Sequence, residues 1–371
     1  MREQGVAYKY FPITIVIAWQ GMATARLIVN RVLAIFGFDG SFFFDLTSVF
    51  IYAALFASFV FGYYLIMHRT RVSNKQLAKK SVPLLRPIAL LSMLIYVVTT
   101  VNGVVVPTAI SSLIVSIHLF ACIHTYYHTG LSKTLYILLL PAFLVPFLTG
   151  SKSGLLQLTV TAFLIARPQH LGKSAIYLIS ISLISIPLAV AFRTEMEGGD
   201  FLISLSGFLS VLNRFHGTEL TLAVLTEQVN LDSLRSDHRE YALLSGIPNG
   251  LGIKPEHPGT ALSQLFGYSN SFFVALGTFG GSLLLMPVEF SYFVIFLMGA
   301  LLAILRRRVF MSRTTLEKAV FMYLFIEAFY ITLEGSYFLI GLFISKALTL
   351  LFVISLLLAI KRAVPARSTV S

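Results

Sequence analysis

The sequence predicts an all-α polytopic membrane protein with about ten transmembrane helices and one large extracytoplasmic loop domain. Hydrophobic residues make up 57% of its 371 residues and charged residues only 12%, whereas soluble domains carry about a quarter charged residues. The apolar runs are long and unbroken rather than alternating, which favours spanning helices over a β-barrel. This composition excludes a soluble globular protein and, because disorder requires low hydrophobicity, a disordered chain.

Ten segments have the apolar character of membrane spans. A spanning helix needs about 20 mostly apolar residues, and the shorter candidates are extended by turn residues at their ends. Asn102-Gly103 predicts a tight helical hairpin between the third and fourth segments. The segments are 11–25, 46–67, 87–101, 104–126, 134–149, 155–166, 174–192, 281–305, 317–333 and 337–360.

The first segment has a second interpretation. Residues 1–25 combine a basic start, a short apolar stretch and Ala23-Thr24-Ala25, which is also typical of a secretory signal. We favour a retained span, because polytopic proteins usually use their first helix as the signal. Cleavage would leave the orientation of the other spans unchanged.

Basic residues are concentrated in a few of the loops that connect these spans. Under the positive-inside rule such loops lie in the cytoplasm, and both termini then lie there too. The net charge of +12 is thus a topology signal, and because the clusters are dispersed we expect no nucleic-acid partner. The clusters are Arg69, Arg71, Lys75, Lys79, Lys80 and Arg86; Arg167 and Lys173; Arg306, Arg307, Arg308 and Arg313; and Lys361, Arg362 and Arg367.

The span count divides the chain into three parts. Residues 1–193 form an N-terminal bundle of about seven spans, 194–280 an extracytoplasmic loop domain, and 281–371 about three further spans with a basic cytoplasmic tail. Within the loop domain, the apolar stretches 201–212 and 261–280 flank a polar lobe. Amphipathic elements lie at a membrane surface, so the domain suits a substrate with an apolar part in the membrane and a polar part in water.

Several positions near the predicted outer face are candidates for binding phosphate. Ser151 and Lys152 lie in the Gly-Ser-Lys-Ser-Gly turn at 150–154, before a predicted helix whose first N–H groups favour an anion. The alternative, equally favoured, is that this lysine reaches lipid head groups. Arg193 and Arg214, at the predicted membrane interface, have the same two interpretations, phosphate binding or anchoring at the lipid head groups. We favour bidentate diphosphate binding for Arg214 and an interfacial anchor for Arg193, which stays a second candidate for the diphosphate.

Ionisable residues also lie within predicted spans. Glu327 and Glu334 are seven residues apart and share one helix face, and Lys346 lies in the following helix. Intramembrane ionisable groups are functional candidates, but a structural ion pair between Glu334 and Lys346 explains those two residues equally well. His118, in the fourth span, is predicted to be a hydrogen-bonded core residue rather than a ligand.

Candidate general bases lie in the loop domain, and most of them must be ordinary solvated residues. Glu219 and His257 are the two that we carry forward as catalytic candidates. Cys122 is the chain's one cysteine, so no intrachain disulfide forms, and no Cys/His cluster indicates a metal site. We expect neither a metal nor a cofactor. The full set of possible bases is His216, Glu219, Asp237, His238, Glu240 and His257.

Three motifs together resemble the O-antigen polymerase/ligase superfamily of bacterial inner membranes. The first is LTGSKSG at 148–154, similar to a Thr-Gly-Ser-Arg-Gly-like turn of relatives, with Lys152 in place of the arginine. The second is an arginine early in the large outward segment, here Arg214. The third is YSNSFFVALGTFG at 268–280, similar to a His-Asn-aromatic-Leu segment of the ligases. From it Asn270 is carried over as a substrate-binding candidate.

The resemblance implies a GT-C-like, metal-independent glycosyltransferase of the inner membrane that uses undecaprenyl-diphosphate-linked oligosaccharides. Ser269 stands where the ligases have a catalytic histidine, so the polymerase branch (Wzy-type) is the better match. Its implied partners, besides the lipid-linked substrate and membrane lipids, are a repeat-unit flippase and a chain-length regulator. An O-antigen ligase and a polysaccharide transporter or flippase remain as alternatives. The implied diphosphate-binding residues are Ser151, Lys152, Arg193, Arg214 and Asn270.

Overall fold

The fold was examined in a computed structural model. It describes 8–24 without 22, 45–70, 77–104 without 83, 106, 108–130, 216–227, 230–232, 258–266, 277–334 and 340–363, with single positions at 234, 240 and 244 and between 141 and 191. Over these residues the chain is helical and forms no β-strand beyond an isolated bridge, which confirms the all-α prediction for the part described. The predicted spans at 134–149, 155–166 and 174–192 lie almost entirely outside the described residues.

Three described segments are long and apolar enough to cross a membrane: Leu46–Met67, Val288–Met311 and Phe343–Ile360. The protein therefore has the helices of a membrane protein. In chain order, the helices are α1 (8–21), α2 (Leu46–Met67), α3 (Leu85–Val101), α4 (Thr108–Thr129), α5 (His216–Leu225), α6 (Pro258–Leu265), α7 (Gly277–Leu285), α8 (Val288–Met311), α9 (Thr315–Glu334) and α10 (Ile340–Ala363).

The α3–α4 connection forms as the sequence predicts. α3 ends at Val101, and Gly103 has a φ of +70°, a left-handed conformation that glycine adopts without a steric penalty. The Val104 N–H donates to the Thr99 carbonyl at 2.9 Å. Such bonds satisfy the last carbonyls of a helix, so α3 ends at the predicted Asn102-Gly103 turn. α4 begins at Thr108, four residues after the predicted start of the fourth span.

The predicted span at 281–305 is wrong in one respect, since it is not a single helix. α7 ends at Leu285 and α8 begins at Val288, with Pro287 between them at the N-cap of α8. Proline has no N–H to continue the α7 ladder and disfavours helical geometry in the residue before it. α8 then extends to Met311, six residues beyond the predicted end.

One end of the bundle gathers two basic segments that are far apart in the sequence. Ala78 forms an isolated parallel bridge with Thr314, and the Lys80 N–H donates to Thr315 Oγ1 at 3.0 Å. The segment 77–80 is thus clamped to the turn between α8 and α9. We call this the basic end. The opposite end, where α1 finishes and α2 begins, is called the far end.

α1 is integrated into the bundle along its whole length. At the basic end, Lys9 Nζ donates to the His68 carbonyl at 3.0 Å and the Tyr63 hydroxyl donates to the Lys9 carbonyl at 3.0 Å. In the middle, Phe11 is fully buried. At the far end, Gln20 receives a hydrogen bond from α2, as described below. The helix that resembles a secretory signal is therefore part of the packed core.

Arg306 departs from its sequence-based assignment to a solvent-facing cytoplasmic cluster. It lies inside α8 and is 0% exposed. Its guanidinium lies over the rings of Tyr8, Phe310 and Phe325, with centroid distances of 4.3, 5.2 and 5.1 Å. Its Nη2 also donates to the Tyr8 carbonyl at 3.1 Å. Arg306 is buried because α8 continues through this position and because arginine is weakly hydrated enough to pack against aromatic faces.

A second, smaller apolar core lies between α5, α6 and α7. It is separate from the large core of the spanning helices and includes two residues that follow α5. α5 packs on α7, and both contact α2, so this core sits against the bundle. Its buried members are Leu220, Ala223, Leu231, Leu234, Leu262, Phe266, Leu283 and Leu284.

Candidate functional site

α5 is the helix of the loop domain that lies deepest in the protein. Every residue from Thr218 to Ala223 is buried, although polar and apolar residues alternate irregularly through this stretch. A polar group removed from water costs free energy unless it is hydrogen-bonded. Three polar residues buried on one short helix therefore require partners from the surrounding elements. They are Thr218, Glu219 and Thr221, exposed by 6%, 2% and 0%.

The start of α5 is tied to α1 and α2 by a polar network at the far end. The Tyr52 hydroxyl donates to Gln20 Oε1 at 2.6 Å and lies 2.9 Å from Thr218 Oγ1. The Thr218 hydroxyl in turn lies 3.4 Å from Gln20 Oε1. The Tyr52 ring packs edge-on against Phe279 of α7, with centroids 5.6 Å apart. We call Gln20, Tyr52 and Thr218, together with Glu219, which follows Thr218 in the chain, the far-end cluster.

Glu219 is the titratable member of the far-end cluster. It follows Thr218 directly and lies in the first turn of α5, where the helix dipole stabilises a negative charge. With 2% exposure, its carboxylate is shielded from bulk water, in contrast to Glu240 in the same loop domain, which is exposed. A carboxylate is able to orient a hydroxyl and to accept its proton, so Glu219 stays a catalytic candidate.

The other sequence-derived candidates for catalysis or diphosphate binding lie outside the described residues. Of the two proposed catalytic bases, the structure thus describes Glu219 alone. Arg214 precedes the first residue of α5 by two positions in the sequence. The candidates outside the description are Ser151, Lys152, Arg193, Arg214, His257 and Asn270.

Two of the intramembrane candidates, Glu327 and Lys346, form an ion pair. Lys346 Nζ on α10 lies 3.0 Å from Glu327 Oε2 on α9, with side-chain exposures of 17% and 3%. The sequence reading paired this lysine with Glu334, whose side chain is outside the description. The packing of α9 against α10 brings the Glu327 carboxylate within ion-pair distance of Lys346.

Two further sequence-based expectations concern α4. His118 is 1% exposed, and its Nδ1 lies 3.2 Å from the Ala89 carbonyl on α3, which confirms that it is a hydrogen-bonded core histidine. Cys122 is free and buried. Within the described part of the chain, no group of three or more His, Cys, Asp or Glu residues is arranged to hold a metal ion.

Sequence reasoning missed three of the four members of the far-end cluster. Gln20 and Tyr52 were treated as parts of apolar runs, and Thr218 as part of an amphipathic helix. Their positions, 32 and 166 residues apart along the chain, have no periodicity that links them. The available signal was weak: a glutamine near the end of one apolar run and a tyrosine near the start of the next.

Compared with known proteins, the chain matches no family model, no curated protein and no solved structure.

Proposed function

We propose that this protein polymerises undecaprenyl-diphosphate-linked oligosaccharide repeat units into a surface polysaccharide by glycosyl transfer. The far end of the bundle would face the outer side of the bacterial inner membrane, and the basic end and both termini would face the cytoplasm. The proposal rests on the sequence resemblance together with one structural observation, the burial of Glu219 within the far-end cluster.

The far-end cluster offers what the acceptor side of this reaction requires. A sugar hydroxyl attacks the anomeric carbon of the donor, the bond from that carbon to the phosphate oxygen breaks, and the lipid diphosphate leaves with the bonding electrons. The acceptor proton needs a base, and Glu219 is proposed to take it. The neighbouring hydroxyls of Thr218 and Tyr52, held by Gln20, would help to orient a sugar.

The donor side requires stabilisation of a growing negative charge on the diphosphate. A diphosphate leaves as an anion, so the protein needs fixed positive groups rather than a general acid. In this proposal Arg214 is the principal diphosphate ligand, with Ser151, Lys152, Arg193 and Asn270 as further candidates and His257 as the second possible base. No metal or cofactor is required by this scheme.

Glycan analysis of cells that lack the protein tests the proposal directly. A single repeat unit on the lipid core would support a polymerase, whereas accumulated long undecaprenyl-linked chains would support the ligase alternative. Unchanged glycans would exclude both. In complemented cells, Glu219→Gln should prevent chain elongation, while the matched variant Glu240→Gln, an exposed glutamate in the same loop domain, should restore long chains.

The proposed orientation is tested by cysteine labelling after Cys122 has been replaced by serine. Glu240→Cys should react with an impermeant thiol reagent in intact spheroplasts, and Lys79→Cys, exposed at the basic end, should react only after lysis. The reverse pattern would invert the topology and place the far-end cluster in the cytoplasm, where the proposed polymerisation does not occur.

A further inference from the structure

The basic end carries a compact group of cationic and imidazole side chains drawn from four elements. Segment 77–80 contributes Lys80, α3 contributes Arg86, α4 contributes His124 and His128, and α9 contributes Lys318. We call these five residues the basic-end cluster. It lies at the opposite end of the bundle from Glu219 and plays no part in the proposed glycosyl transfer.

Two histidines one turn apart form the centre of the basic-end cluster. His124 Nε2 lies 2.9 Å from the Lys80 carbonyl, so this nitrogen is the donor. The His128 ring stacks on the His124 ring with centroids 5.9 Å apart. The Nδ1 atom of His128 is buried without a hydrogen-bond partner, although the ring as a whole is partly exposed. A buried polar atom without a hydrogen-bond partner is unfavourable, so a ligand atom that formed a hydrogen bond with it would stabilise the protein.

The cationic residues surround these histidines at different depths. Lys318 is only 9% exposed, and its Nζ lies 5.0 Å from the centre of the Tyr127 ring, whereas a lysine at a helix end normally extends into water. Arg86 is exposed at the start of α3 and lies within electrostatic range of His124. The cluster thus has a lysine and a histidine at its base and an arginine at its rim.

The described residues at the basic end are mostly cationic. Among the residues that the structure describes, the acid at the basic end is Glu317, and its Oε2 accepts from the Arg313 N–H at 2.9 Å. That carboxylate is therefore engaged at the start of α9. The C-terminal dipole of α4 favours a cation in its last turn, which accounts for His128. It does not account for Arg86, which lies on a different helix.

An exposed apolar stripe runs along α3 from the end that carries Arg86. Residues Ile88, Leu91, Ile95 and Val98 are exposed by 42%, 60%, 53% and 50%. Their spacing of three and four residues places them on one helix face. In a spanning helix such a face contacts acyl chains. A head-group site and an acyl-chain surface therefore adjoin each other on α3.

We propose that an anionic phospholipid binds at the basic end, with its phosphate in the basic-end cluster and an acyl chain along the exposed stripe of α3. Basic pockets between helices at a membrane interface bind anionic lipid head groups. The phosphate oxygens would receive hydrogen bonds from Arg86 and Lys318, and one would lie against the His128 ring. Free phosphate shares the head-group chemistry but makes no use of the stripe.

Native mass spectrometry of the full-length protein in detergent tests this site. The protein is titrated with phosphatidylglycerol, with phosphatidylcholine of the same acyl chains, and with inorganic phosphate. Phosphatidylglycerol should bind with clear preference, and Arg86→Gln should weaken it about fivefold, the effect of one basic residue near an anionic head group. The matched variant Arg307→Gln, exposed on α8 at the same end, should bind as the wild type does.

Each of the other outcomes would overturn the proposal. Equal binding of the two lipids would mean that the head-group charge does not matter. Equal losses of affinity in Arg86→Gln and Arg307→Gln would mean that the lipid is attracted by the overall positive charge of this end and not by a specific site. Inorganic phosphate that competes with the lipid at equal concentration would identify a free-phosphate site instead. Because Arg86 is exposed, its variant should fold. His128→Gln is compared with the wild type by its melting temperature with and without phosphatidylglycerol. The lipid should stabilise this variant less than the wild type, and equal stabilisation would contradict the placement of the phosphate.

Discussion

Gly62 of α2 and Gly299 of α8 face each other's helix backbone. A Cβ atom at Gly62 would overlap the carbonyl oxygen of Phe296, and one at Gly299 would overlap the carbonyl oxygen of Phe59. The relationship is reciprocal, because each glycine lies against the backbone carbonyl three residues before the other glycine. Small residues allow spanning helices to approach closely and to gain packing contacts in lipid, where no hydrophobic effect drives association. This glycine pair therefore sets the distance between the two helices that pack most extensively.

Gly62→Ala is expected to destabilise the protein by about 1–3 kcal/mol, the usual cost of overpacking a tight contact. The obstructing atom belongs to the backbone and cannot turn away as a side chain would. The matched variant is Gly21→Ala, where a Cβ meets nothing within 4 Å. The melting temperature in detergent should fall for the first variant and stay unchanged for the second. Equal melting temperatures would mean that α2 and α8 separate without cost.

Lys346→Met should destabilise the protein by about 3 kcal/mol, because it leaves the Glu327 carboxylate buried without its cation. The double variant Glu327→Gln/Lys346→Met removes both charges and should recover much of this loss. The measurement is the melting temperature of the three proteins at equal detergent concentration. A double variant that is no more stable than Lys346→Met would indicate that the 3.0 Å contact contributes nothing to folding.

Arg306→Lys should lower the free energy of unfolding by about 2 kcal/mol, since an ammonium loses the cation–π contacts and the bond to the Tyr8 carbonyl. Lysine is also more strongly hydrated than arginine and harder to bury. Arg307→Lys, on the exposed face of the same helix, serves as the control and should change stability by less than about 0.5 kcal/mol. Similar melting temperatures for the two variants would show that the aromatic cage is not specific for a guanidinium.

Arg214→Ala should reduce polymerisation roughly a hundredfold, which corresponds to the loss of one charge-assisted contact in the transition state. Arg214→Lys keeps the charge but not the bidentate fork, so it should lie between the alanine variant and the wild type. The chain-length distribution of the surface glycan at matched protein levels measures this effect. Normal long chains from Arg214→Ala would move the phosphate role to Arg193 or Lys152.

Asp45→Ala should lower the melting temperature at neutral pH and have less effect in acid. Asp45 caps α2, and hydrogen bonds from Ser48, including its N–H at 2.7 Å, hold the pKa of the Asp45 carboxyl below its ordinary value. A lowered pKa means that the stabilisation is complete above the ordinary carboxyl pKa of about 3.9 and is lost as the pH falls through the folded-state value. A difference in melting temperature that stays constant from pH 7 to pH 3 would contradict this assignment.

The sequence determined the elements whose formation depends on local chemistry. Unbroken apolar runs defined α2 and most of α8, since such helices form wherever about 20 apolar residues meet a bilayer. Asn102-Gly103 defined the α3–α4 turn, because glycine adopts the left-handed conformation that ends a helix. Pro287 was also a local signal, because it indicates the break between α7 and α8. The break was not predicted, because the residues around Pro287 form one long apolar run.

The tertiary structure alone decided which side chains meet. Arg306 belongs to a run of three arginines that look alike in the sequence. It is buried because α1 and α9 pack against its side of α8, whereas Arg307 and Arg308 are exposed. The packing of α9 against α10 brings Lys346 to Glu327, a pairing that the sequence did not identify. Glu219 is one of six comparable bases in the loop domain. Glu219 is buried, and the residue before it, Thr218, lies against Gln20, 198 positions away in the chain. Contacts between helices are set by packing rather than by any spacing along the chain.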